Sequence, residues 1–180
     1  MIYSYHLTHS DYLDYLFYST SKSKKVQKRR ALNKLVLMIV IVVTGFMLFN
    51  KNGPIASAAF FLLCLPLYFF YSRFEKRQYT RHFNRFIKDH FMHRVGKPAS
   101  IEIMDDSFRV IDDEDNVYSY NDIEELTETG TLIIIQLKNG VAVVLPKDKI
   151  EASLSLMERL SQEVSERKIL FTQDKEWKWK

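Results

Sequence analysis

The 180-residue chain carries 26 Lys and Arg against 22 Asp and Glu, for a formal net charge of +4, and has a single cysteine, Cys64. One cysteine excludes an internal disulfide and any metal site built from thiolates. The charge is segregated: residues 1–98 carry +12 and residues 99–180 carry −8, so the basic pI is a property of one half, and the acidic half is a poor surface for nucleic acid.

The N-terminus, Met1 to His6, has neither the early positive charge nor the apolar run of a signal peptide. Tyr3, Tyr5 and Leu7 alternate with other residues, the spacing of an edge strand. A helix is expected to start at Ser10 or Asp11 and to place Tyr12, Leu13, Leu16 and Phe17 on one side. A basic stretch follows, with Lys22, Lys24, Lys25, Lys28, Arg29, Arg30 and Lys34.

Leu35 to Asn50 contains no charged residue, and neither does Asn52 to Ser72. A bilayer-spanning helix needs about 20 mostly apolar residues. The second run meets that alone, and the first meets it by taking in residues 31–34, with Lys34 reaching to the interface. Lys51-Asn52-Gly53-Pro54 is a turn signal. The competing reading, two core helices of a soluble domain, would leave more apolar surface than a chain this short can cover. Residues 31–72 therefore read as a transmembrane hairpin, with Pro66 kinking the second span. Lys and Arg crowd both flanks while the turn holds only Lys51, which puts both termini in the cytoplasm. The span cores hold no Asp, Glu, Arg or His, which argues against an ion or proton path. Cys64, inside the second run, reads as a small packing residue.

Residues 73–95 read as a helix stopped by Gly96 and Pro98. At about 100° per residue, Tyr79, Phe83, Phe86, Ile87 and His90 share one face, and Arg77, Arg81, Arg85 and Lys88 share the other. The helix either lies on the bilayer or continues from the second span as a stem packed by its aromatics; the stem reading is preferred, with the Tyr12–Phe17 face as partner. The cationic stripe, with Lys25, Lys28, Arg29 and Arg30 on the other flank, is the candidate surface for anionic lipid headgroups. His90 and His93 are three residues apart, but no cysteine or well-placed carboxylate completes a metal site, and no cofactor is expected.

Beyond Pro98 the pattern becomes strand-like. Residues 101–103, 108–110, 117–120, 123–126 and 132–137 alternate or run apolar between turn signals, and Asn139-Gly140 marks a hairpin before residues 141–145. Asp148 with Glu151 resembles a capping box opening a helix whose apolar face is Ile150, Leu154, Met157, Leu160 and Val164. The fold class is α+β, an antiparallel sheet closed by a C-terminal helix. The expected organisation is an N-terminal strand and helix over 1–30, the hairpin over 31–72, the basic amphipathic helix over 73–98, and the β-domain over 99–180. The acidic run 112–115 reads as a solvated hairpin tip, because its carboxylates are adjacent rather than spaced as in a calcium loop.

Three stretches together resemble the YcxB-like family of bacterial membrane proteins: "YSYHLTHSDYLDYLFY" ahead of the paired apolar runs, "YSRFEKRQYTRHF" after them, and "YSYNDIEELTETGTLIIIQLKNGVAVVLPKDKI" in the β-domain. The resemblance implies a bacterial inner-membrane protein whose soluble part has a pleckstrin-homology-like fold, and it implies no enzymatic activity. The first hairpin turn, Met104-Asp105-Asp106-Ser107, is acidic, which opposes phosphate binding there. The function expected is a membrane-anchored, non-enzymatic interaction module presenting its β-domain to an unidentified protein partner, and a homo-oligomer is a separate expectation. The alternative is an immunity-type protein that neutralises a co-encoded membrane-acting toxin. An enzyme is disfavoured because no acid/base or nucleophile constellation is legible.

Overall fold

The computed structural model describes residues 1–179, the side chain at position 69 apart. The elements in chain order are β1 (Ile2–His6), α1 (His9–Lys22), α2 (Lys24–Asn52), α3 (Pro54–His90), β2 (Pro98–Ile103), β3 (Ser107–Ile111), β4 (Asp115–Ser119), β5 (Ile123–Thr129), β6 (Leu132–Leu137), β7 (Ala142–Pro146), α4 (Ser153–Glu166) and β8 (Leu170–Asp174). The fold is mixed α+β. Two compact units divide the chain: Met1–Leu16 with Phe83–Lys178, and Phe17–His82 with Trp179. The first strand and the end of α3 belong to the β-rich unit.

In the β-rich unit one sheet has the order β1-β2-β3-β4, antiparallel throughout, and the other has the order β7-β6-β5-β8. The N-terminal alternation does form an edge strand: Tyr3 lies opposite Ile101 and Tyr5 opposite Ala99. Both tyrosine rings enter the core, while Ile2, Ser4 and His6 stay exposed. The core collects one face of each sheet, with Ile101, Ile103, Phe108 and Val110 from the first and Leu126, Ile133, Ile135, Val143 and Leu145 from the second. The β6 strand is buried on both faces, Leu132 and Ile134 as well as Ile133 and Ile135. A continuous apolar run, rather than strict alternation, is the pattern such a strand requires. The Asn139-Gly140 turn forms, with Gly140 at φ 86° and the Asn139 side-chain oxygen accepting from the Val141 amide at 3.0 Å.

Two details of α4 differ from expectation. Residues 147–149 form a short 3-10 turn and the helix proper begins at Ser153, capped at Ala152 without a side-chain bond, so Asp148 caps nothing. The buried face is Leu156, Met157, Leu160 and Val164, while Leu154 is 75% exposed. The face centres on Leu160, and at about 100° per residue Leu156 lies about 40° from it, against about 120° for Leu154. The strand β8 has no counterpart among the expected elements.

In the helical unit, Gly53 (φ 84°) ends α2 and Pro54 opens α3, a position where the missing N–H of proline costs nothing. The two helices touch at a glycine: a Cβ on Gly45 would collide with the Phe61 ring, and the buried Ser57 hydroxyl donates to the Gly45 carbonyl at 3.0 Å. Small residues at such a point let backbones approach. Helix α2 is long and apolar enough to cross a membrane; the two parts of α3, Pro54–Tyr68 and Phe70–His90, are inclined at 40° and meet the same test only when taken together. Pro66 lies just before that bend, and proline removes a hydrogen bond and crowds the preceding turn.

Candidate functional site

The helical unit leaves its apolar residues outside. On α2, Val36, Ile39, Val40, Val43, Phe46 and Met47 are exposed, and on α3 so are Leu62, Leu63, Leu65 and Leu67. Beyond this belt the basic residues divide into two groups. Lys25, Lys28 and Arg29 on α2, and Arg77, Arg81, Arg85 and Lys88 on α3, are exposed, and none of the seven is in an ion pair among the described residues. The α3 residues recur at steps of four and three, which sets them along one side of the helix.

Arg30 departs from the sequence assignment to headgroups. Its Nε and Nη2 donate to Glu75 Oε2 at 3.0 and 2.9 Å, and its guanidinium lies 4.4 Å from the Trp179 ring centroid. The Glu75 side chain is 7% exposed. Phe17 and Tyr79 meet the same indole edge-on at 4.9 and 5.2 Å. Glu75 is the only carboxylate between residues 15 and 88; that isolation in a basic, apolar stretch is the signal that a cation must be committed to it. Beside it an open groove of about 430 Å³ is lined by Arg29, Asn33, Tyr71, Gln78 and His82, among others.

In the β-rich unit, Tyr12 stacks at 4.8 Å on Phe91, a residue just past the end of α3 and outside the expected stripe; of that stripe Phe83 and Ile87 are buried and Phe86 half-buried, whereas His90 is exposed. The start of α1 is tied down by Asp11. Its carboxylate accepts from the Thr8 amide at 2.6 Å and from Lys149 Nζ at 2.5 Å. Burial pushes the Asp11 pKa up, but the Lys149 and Thr8 bonds outweigh it and hold the carboxyl below its usual range.

The acidic tip 112–115 is neutralised by the chain itself. Asp113 pairs with Lys97 at 2.7 Å and lies near Arg94 and His93, and Asp115 pairs with Arg109. The Lys97 bond lowers the Asp113 pKa and the Arg109 bond that of Asp115. At the other acidic turn, Arg159 and Arg167 stand 3.6 Å from Asp105 and Asp106. Tyr120, beneath the Arg167 guanidinium, donates to the Met104 carbonyl at 3.1 Å, and burial pushes its hydroxyl up to about 12.

The most buried charged group of this unit is Glu128, on β5. Its carboxylate, 3% exposed as a residue, accepts from Lys147 at 2.8 Å and from Lys175 and Gln173 at 3.2 Å. Burial pushes its pKa up, and the bonds from Lys147 and Lys175 more than reverse that. On the same strand, Glu125 accepts from Thr172 at 2.6 Å. Lys175, Gln173 and Thr172 all belong to β8 and the residue after it, and β8 is the one parallel strand among the described residues, running beside β5 from Glu125↔Leu170 to Thr129↔Asp174. The sheet edge of β5 is thus a surface of two carboxylates and a row of backbone groups, occupied by β8 and Lys175.

No curated protein and no solved structure matches this chain. Residues 103–161, from the end of β2 into α4, match the family model described as YcxB-like protein.

Proposed function

We propose that the chain is a membrane-anchored, non-enzymatic interaction module: α2 and the apolar part of α3 form a two-span hairpin in a bacterial inner membrane, both termini lie in the cytoplasm, and the β-rich unit, pleckstrin-homology-like in fold, is presented there to a protein partner. The observation that carries this reading is the belt of exposed Val, Ile, Leu, Met and Phe on α2 and α3, far beyond the scattered apolar residues a water-facing surface tolerates. The seven exposed cations beyond the belt support the orientation. A four-stranded antiparallel sheet, three further antiparallel strands and a closing helix support the pleckstrin-homology-like assignment.

Topology is tested with Cys64→Ser chains carrying one new cysteine. A membrane-impermeant maleimide applied to intact cells should leave a cysteine at Ser107 unlabelled and should label it after permeabilisation; labelling from outside would overturn the orientation. Partner presentation is tested with a photo-crosslinking residue at Val117, exposed on β4. It should trap one protein of defined mass, whereas crosslinks to lipid alone would sink the module reading.

A further inference from the structure

Resting on that reading, we infer that the outer edge of β5 is the docking site for an extended segment of the partner protein, and that β8 is the chain's own removable occupant of it. A strand added to a sheet edge is bound by main-chain hydrogen bonds and selected by pockets for alternate side chains.

The sheet does not need β8 for its body. The strands β5, β6 and β7 form a complete antiparallel run with β6 at its centre, and the core beneath includes Leu126, Ile133, Leu160 and Val164. β8 lies outside that run, as five residues in the weaker parallel arrangement. Leu170 is exposed and Phe171 only half-buried. Three residues, Arg167 to Ile169, connect it to α4, and among them Lys168 sits at φ 57°, the only non-glycine residue with positive φ among the described residues. Helices commonly end on such a residue, and glycine is the residue that fits it. The amides of Lys168 and Ile169 bond the carbonyls of Ser165 and Val164, so the helix end holds a lysine in a disfavoured conformation at the hinge of a short edge strand.

The side chains of β8 also state what the edge recognises. Phe171, opposite Leu126, packs against the core, and Gln173 and Lys175 reach Glu128. Thr172, opposite Thr127, gives its hydroxyl to Glu125. Were β8 to leave, Glu128 would keep only Lys147, and Glu125 would lose its closest donor. A buried carboxylate short of donors is costly, so the vacated edge selects a replacement that restores them. The partner segment is therefore an extended peptide with a large apolar residue, then a hydroxyl, then an amide or cation, and a further cation two residues on. An acidic segment is excluded by Glu125 and Glu128.

The test uses the full chain in detergent with Cys64→Ser, and a fluorescein-labelled peptide of residues 167–178 as the stand-in for the partner strand. Thr127→Cys with Thr172→Cys places two thiols at paired positions across β5 and β8. Oxidised, this chain should bind the peptide at least tenfold more weakly than when reduced, because β8 can no longer leave. Phe171→Ser, which loosens the native strand, should bind the peptide at least fivefold more tightly than the parent. Lys168→Gly relaxes the hinge and should bind about threefold more weakly. Equal binding by the oxidised and reduced chains overturns the inference, and so does a dimer linked through the two introduced thiols on oxidation, since that would show exchange between copies. If Phe171→Ser loses its fold by circular dichroism, the disulfide pair decides alone. Failure here with persisting crosslinks from Val117 removes the edge and leaves the module; loss of those crosslinks removes the module whatever the peptide does.

Discussion

The same residue types meet opposite fates in the two units. In β6 Ile133 and Ile135 are 0% exposed and Ile134 4%, whereas in α2 Ile39 is 50% exposed and Val40 and Val42 55%. Burying such a side chain is worth about 1.5–3 kcal/mol in water, so the β-rich unit gains from every one of these residues and the helical unit gains from almost none. On the proposed reading, the helical unit is adapted to a different solvent. In lipid the stabilisation between helices comes from close packing instead, and the Gly45–Phe61 and Ser57–Gly45 contacts are of that kind.

The sharpest way to break this comparison is to truncate or charge one residue of each kind. Leu160→Ala in α4 empties a fully buried site and should cost about 4 kcal/mol, read as a lower denaturant midpoint of the β-rich unit's transition. Ile39→Lys should cost about 3 kcal/mol of membrane insertion, read as a shift of the protein from the carbonate-resistant to the extractable fraction. An α2 that faced water would show the reverse, unchanged fractionation and better solubility.

Smaller effects sharpen the picture of the polar groups. Lys147→Met leaves Glu128 with Gln173 and the exposed Lys175 and should cost about 2 kcal/mol. The same pair has a pH signature. The Glu128 carboxyl is held below its ordinary value of 4.5 in the folded chain, so its contribution is fully present above that value and is lost as pH falls through the folded pKa. Asp11, lowered by Lys149 and Thr8, acts with the same sign. The denaturant midpoint should stay level from neutral pH to about 5 and fall below about 4.5, and Lys147→Met should flatten that fall. A midpoint that rose on acidification would contradict the assignment.

The smallest expected effect on the fold comes from the cationic stripe. Arg77, Arg81 and Arg85 changed together to Gln should leave the melting temperature in neutral detergent unaltered, since these exposed side chains form no ion pair that holds the fold in place. In nanodiscs the same change should remove the preference for anionic lipid, about 1 kcal/mol per residue. Faster proteolysis after Pro98 with unchanged lipid preference would mean that the stripe serves the protein rather than the bilayer. Arg30→Gln should behave differently from these three and lower the melting temperature, because it strands Glu75.

Much of this was legible along the chain and some was not, and the dividing line is sequence distance. Alternation at Tyr3 and Tyr5, the apolar run of β6, the Asn139-Gly140 turn and the charge-free stretches 35–50 and 52–72 are local patterns, set by backbone geometry and by what each residue does next to its immediate neighbours. They determined the strands and helices other than β8, and which helix is long and apolar enough to cross a membrane. Pairings across long intervals were decided only in three dimensions: Tyr3 of β1 against Ile101 of β2, Arg30 on Glu75, and β8 along β5. The choice of Leu156 over Leu154 follows from the helical period once Leu160 is the centre of the buried face, and that centre is set by the core it packs into. The physical reason is that hydrogen-bond period and hydropathy act over a few residues, while burial and charge pairing depend on which distant surface closes over them.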